Sequence, residues 1–248
     1  MAKLIILLVF FFTNIYADDA CKYTHTFGEP TKKTLGLKLE SICYKTHYIL
    51  YSNKYKMPII IEYKLNTSNI NEIMSANKKI PRKKISFSYD DNYKIDSGKQ
   101  YYPNDYKGTG IDRGHLVPYA SAGIDKEDKI NINKMSNIAP QNLGLNRGCW
   151  KVHENSIRKR VINKKENLTI TVGVGFKDKK KVEVINSLNY PSYFYMFIVN
   201  DTNKSKKIVF FDNIKAASGT CHNSEYLITE TELEDIIQYN IYPLLTNK

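Results

Sequence analysis

The sequence predicts an α+β domain, and three observations carry that expectation. Strand-like runs rich in Ile, Tyr, Phe and Val lie towards both ends of the chain, next to one another in sequence, which favours antiparallel pairing. Between them, residues 146–164 run without proline and read as a helix. A second helix is expected near the C-terminus, over residues 228–239 (ITETELEDIIQY). The length, 248 residues, suits one domain with a substantial core, and no low-complexity linker or internal repeat divides it.

The elements follow in order. Lys3 and the apolar run 4–12 precede Ala17 and two aspartates. That pattern predicts a signal peptide over 1–17, removed on export, and hence a secreted or periplasmic domain over 18–248. No later run is long and apolar enough to insert stably in a membrane. Residues 44–65 (YKTHYILYSNKYKMPIIIEYKL) predict two strands around an Asn53-Lys54 turn. Residues 82–112 are polar and Tyr-rich, with Gly98, Pro103, Gly108 and Gly110, and read as a long surface loop. SNIAPQ, 136–141, reads as a short strand stopping at Pro140. Further strands are expected at 167–176, 193–199 and 207–211. Thr229 or Thr231 is the expected cap of the last helix.

The formal net charge is +12, of which the leader contributes only Lys3. Such a charge favours a polyanion: nucleic acid, anionic membrane or acidic polysaccharide. Arginine is more selective. Of 37 basic residues only Arg82, Arg113, Arg147, Arg158 and Arg160 are arginines, all in mid-chain. In a Lys-rich chain, arginine is expected where its planar fork binds phosphate. Cys21, Cys43, Cys149 and Cys221 make an even set in an exported chain, which suggests disulfides. Cys21–Cys43 with Cys149–Cys221 is favoured among three pairings, and no C-x-x-C pair points to zinc.

Chemistry concentrates in three motifs: Asp112-Arg113-Gly114-His115, then SNIAPQ, then LNRGCW at 145–150. They supply an imidazole, carboxamides and guanidinium groups. They supply no serine or cysteine nucleophile with a base at a recognisable spacing, and no carboxylate cluster for two metals. Asn146, Trp150, Glu154 and Arg158 recur every four residues and so are expected on one helical stripe. Trp150, the single Trp, is read as a core anchor.

These motifs resemble the DNA/RNA non-specific endonuclease family, the ββα-metal-finger nucleases that include secreted bacterial sugar-non-specific nucleases and mitochondrial endonuclease G. DRGH, SNIAPQ and LNRGCW carry the resemblance. Arg82 with Phe87 and Asp90, the 190–199 strand and the 231–243 stretch extend it to roughly residues 45–245. The resemblance implies a central antiparallel sheet, flanking helices and a ββα finger carrying the site. It implies hydrolysis of DNA and RNA to 5′-phosphate ends. His115 would be the general base, and Asn146 the single protein ligand of one hydrated Mg²⁺, with Mn²⁺ able to substitute. Glu154 would support that ion from one layer out. Asn137 would position the His115 side and the scissile phosphate. Arg82 and Arg158 would neutralise charge in the transition state, while Asp112 and Arg113 would shape the turn. His153 lies beside Glu154 but is not expected as a ligand. Dimers occur in that family, and the sequence leaves the oligomeric state open. The competing reading is a cationic secreted nucleic-acid-binding protein without catalysis.

Overall fold

The structure, a computed structural model, describes residues 25–28, 37–92, 94–178, 181–214, 221, 224–238 and 241–242. The expected leader and Cys21 lie outside these residues. Among them, a seven-stranded sheet runs in the order β1 (Glu40–Cys43), β2 (His47–Ser52), β3 (Met57–Leu65), β6 (Leu168–Gly175), β9 (Tyr193–Asn200), β10 (Lys206–Asp212) and β11 (Leu227–Ile228). Every neighbouring pair is antiparallel. The architecture is α+β.

Side-chain alternation explains why two central strands lie where they do. On β9, Phe194, Met196 and Ile198 face the larger core, while Tyr193, Tyr195, Phe197 and Val199 face the other side. On β6 the large residues Leu168, Ile170, Val172 and Val174 also face the larger core. Gly173 and Gly175 pair with Tyr195 and Tyr193, whose rings occupy the space a Cβ would need. Large residues on one strand and small ones on its neighbour thus fill one layer.

The smaller core is covered by α5 (Glu230–Ile237), through Leu233 and Ile237, and by Tyr242. Thr229 is the cap, accepting a hydrogen bond from the Glu232 amide and closing a capping box. The larger core lies under α1 (Ile70–Lys79) and α4 (Lys151–Lys164). Trp150 is fully buried there, edge-on to Phe194 and Phe211.

A second, two-stranded ribbon on this side pairs β4 (Ile111–His115) with β5 (Ile138–Asn142). Between them lies α2 (Lys126–Ile132). The chain leaves β5 through a single turn, α3 (Leu143–Leu145), and a π-turn, Asn146–Trp150, into α4. Ribbon and helix form a ββα unit. A small hairpin of β7 (Glu183–Ile185) and β8 (Leu188–Tyr190) packs nearby.

The 82–112 segment is the largely exposed, irregular surface stretch expected, but it is pinned to the body at several points. Asp90, Gln100, Tyr101 and Tyr106 are buried, and the Gln100 amide bonds the Asp90 backbone in both directions. Tyr101 and Tyr106 pack inside while Tyr102 stays exposed, so a few anchored side chains hold a surface stretch in place. Other expectations need correction. The SNIAPQ strand does not stop at Pro140 but runs to Asn142. A two-stranded ribbon has an open edge, where a missing N–H breaks no ladder. The four-residue stripe starts only at Trp150, because the π-turn and the non-helical Gly148 (φ −100°, ψ −114°) interrupt regular spacing after Asn146. The strand β1 and the helix α1 were not expected.

Candidate active site

Three elements converge on the ββα unit: the ribbon, the start of α4 and the segment after α1. His115 ends β4 and is partly exposed. Its Nε2 lies 2.8 Å from Asn133 Oδ1. The Asn133 amide nitrogen donates to the Ile85 carbonyl at 2.8 Å, and Asn133 is fully buried. A carbonyl can only accept, so the Asn133 oxygen must face the imidazole. Nε2 therefore carries the proton, and Nδ1 keeps its lone pair. Desolvation, then Arg82, push the His115 pKa down to about 3, with Arg113 adding to the effect and the Asn133 bond opposing it.

Both arginines sit on one ring. The Arg82 guanidinium lies 4.4 Å from the Phe87 centroid, the Arg113 guanidinium 4.5 Å, and the His115 ring 5.1 Å. Arg82 is held below its ordinary pKa by desolvation and then by Arg113. Arg113 also donates to the Pro103 carbonyl. Beside it opens a notch of about 240 Å³ lined by Tyr106, Lys107, Ile111 and Asp112.

On the helix side, Asn146 Nδ2 donates to Asp112 Oδ2 at 2.8 Å. The same carboxylate takes two bonds from the Arg147 guanidinium. Asp112 thus fixes which end of the Asn146 amide points away, namely the oxygen. Its carboxylate is held below its ordinary pKa: burial raises it, and Arg147, Asn146 and Arg113 outweigh that. Glu154 is raised to about 7 by desolvation, opposed by Arg158 and the Trp150 indole. Arg158 is held by Ser121 Oγ at 2.9 Å and by Asn155.

Asn137 is fully buried, and its side chain is spent on backbone: it accepts from Val117 N and donates to Val117 O and Ile132 O. It braces the turn that follows His115, and those bonds leave no amide donor for a phosphate. His153 bonds the Cys221 carbonyl at 2.7 Å, deep against Phe211. Cys149, inside the π-turn, is disulfide-bonded to Cys221. Cys43 is disulfide-bonded as well, while its expected partner lies outside the described residues. Asn133 is the residue that sequence reasoning missed. It stands four before Asn137 in an Asn-rich stretch, where nothing marks it out.

The profile of the DNA/RNA non-specific endonuclease family matches residues 29–242. This chain belongs to that family. Among curated family relatives, "Nuclease 1, mitochondrial" from Schizosaccharomyces pombe is 38% identical over 77 residues, 31% of this chain and 24% of the relative. "Nuclease" from Serratia marcescens is 42% identical over 64 residues, 24% of this chain and 23% of the relative. These matches span only about a quarter of each relative. A chain in the crystal structure of the EndoG/EndoGI complex shares the fold, with a TM-score of 0.69 and 21% identity, over 80% of this chain and 83% of that one.

Proposed function

We propose that the protein is an endonuclease that hydrolyses phosphodiester bonds of DNA and RNA without base specificity, leaving 5′-phosphate ends, with His115 as general base. The observation that carries the proposal is the Asn133–His115 contact, which leaves Nδ1 unprotonated and so able to accept a proton. The water gives its proton to Nδ1, its oxygen bonds phosphorus, and the bond from phosphorus to the 3′-oxygen breaks. A pKa near 3 keeps the imidazole neutral but makes it a weak base. Arg82 and Arg113 contribute to that depression. A phosphate seated between them cancels their charge, so substrate binding raises the basicity of His115 when it is needed. Arg82 and Arg158 then offset the charge that builds on phosphorus oxygens.

The donor set fits one hydrated Mg²⁺, with Mn²⁺ able to replace it. Asp112 turns the Asn146 amide oxygen, a hard neutral donor, outward. Among the described residues no group of three His, Cys, Asp or Glu could hold a metal, so Asn146 would hold an ion still largely hydrated, with Glu154 behind it. When bound, the ion would polarise the phosphate and assist the leaving oxygen. The leader-like N-terminus and the Cys149–Cys221 bond support a secreted or periplasmic location.

Digestion of plasmid DNA and of RNA, with and without EDTA, tests this. The intact protein should cut both and stop on chelation. His115→Ala should lose about 10²- to 10⁴-fold in rate while still binding. Asn146→Ala should lose its response to Mg²⁺. Binding without cutting by the intact protein would favour the non-catalytic reading instead.

A further inference from the structure

Helix α4 carries Glu154 and Arg158 on one side. At 3.6 residues per turn, Ser156 and Asn163 lie about half a turn round from Glu154. That far side is not a plain solvated face. It forms one wall of a pocket of about 420 Å³, whose other wall is the start of β10. Lys159, Arg160, Lys164, Lys206 and Lys207 line it, against a single acid, Glu166.

The charges there are unequally answered. Arg160 pairs with Glu166, and Lys206 pairs with Glu230. Among the described residues no carboxylate pairs with Lys159, Lys164 or Lys207. Lys207 is held below its ordinary pKa by burial and then by Arg160 and Lys164, so these cations stand close enough to repel one another. A fold that gathers cations in a concavity, on a different face from its reactive groups, stores an attraction for an anion. Neutral polar side chains, Ser156, Asn163 and Ser205, lie between the charges as further donors to oxygen.

We propose that this basic pocket binds the phosphate backbone of nucleic acid at a segment separate from the one being cleaved. The proposal rests on the nuclease reading for its choice of polyanion. The pocket and the site face opposite sides of α4, so a straight duplex does not touch both, whereas a flexible single strand long enough to pass round the helix does. Reaching both would keep the enzyme attached between cuts.

The test uses the full-length protein and a Lys159→Ala/Lys164→Ala/Lys207→Ala variant, with Lys38→Ala/Lys54→Ala/Lys78→Ala as a control of equal charge. Binding is read by fluorescence anisotropy in EDTA, using single strands of about 6 and about 40 nucleotides. Cleavage of the short strand is read separately with Mg²⁺. The pocket variant should bind the long strand at least about tenfold more weakly at low salt. Its slope of log K against log salt should flatten by up to about 2.1, at roughly 0.7 per lost phosphate contact. Its kcat/KM on the short strand should match the unaltered protein. An unchanged affinity and slope would overturn the proposal. So would an equal loss in the control, which would mean that only net charge matters. If the unaltered protein cuts neither strand, the nuclease reading falls, while the binding comparison still decides the pocket.

Discussion

Replacing Asn133 with Asp tests the link between one buried amide and the reactivity of His115. Asn133 is fully buried and gives its oxygen to His115 Nε2 and its nitrogen to the Ile85 carbonyl, each at 2.8 Å. The aspartate keeps the shape and the acceptor but adds a full negative charge about 4 Å from the imidazole centre. At an effective dielectric of about 20 that interaction is about 4 kcal/mol, or roughly three pKa units. His115 should therefore move from about 3 to about 6. The protonated form cannot accept a proton, so an acid limb should appear near pH 6 that the unaltered protein lacks. Loss of the Ile85 bond should also loosen the ring, slowing the reaction about 10- to 100-fold at the optimum. The assay is a pH–rate profile for plasmid nicking at saturating Mg²⁺, with His115→Ala as the floor. An unaltered rate and profile in Asn133→Asp would show that this contact neither orients nor tunes the base.

Three further expectations follow from the same site and its surroundings. Glu154, raised to about 7, loses its carboxylate form as pH falls through neutrality, so activity at low Mg²⁺ should drop below about pH 7. Raising Mg²⁺ should move that limb to lower pH, and a limb unchanged in Glu154→Gln would contradict the assignment. His47 is fully buried and pushed down to about 3 by desolvation, against an ordinary value of about 6.5. Its neutral form favours folding above pH 6.5, and that contribution, on the order of 4 kcal/mol, is lost as pH falls from 6.5 towards 3. His47→Leu should therefore show a flatter fall of the urea midpoint between pH 7 and pH 4, and a parallel fall would refute this. Arg82→Gln should slow cleavage yet raise the melting temperature by about 1–3 °C, since it removes a charge that faces Arg113; a lower melting temperature would count against that repulsion.

Much of the fold was legible where burial imposes a simple period. Strand β9 is long and buried on both faces, so its apolar residues run almost without a break, while β6 alternates large apolar residues with Thr and Gly, a period of two that reads equally as strand. Thr229 with Glu232 announces the start of α5. Helix α1 was missed because only Ile70, Ile73 and Ala76 are buried, too few to stand out among polar neighbours. The site shows the same division. DRGH and LNRGCW draw attention to His115 and Asn146 by local pattern. The partner of His115, Asn133, comes from 18 residues away and is selected by the carbonyl of Ile85, a relation that no spacing encodes. The π-turn is likewise set by tertiary packing of Cys149 and Trp150, so regular helical arithmetic misplaced Asn146 relative to Glu154.

Phe87 gathers two guanidinium groups and an uncharged imidazole around a single apolar ring. Such a cluster is frustrated in the free protein: like charges are held together by the surrounding fold, against their own preference. On the proposed function, an incoming phosphodiester would resolve the conflict, because it would supply an anion that, among the described residues, neither guanidinium pairs with. The substrate would then act as a missing structural component, and the complex would be the better-satisfied state of the chain. Part of the folding free energy would in this way be converted into selectivity for a polyanion over neutral ligands of similar shape.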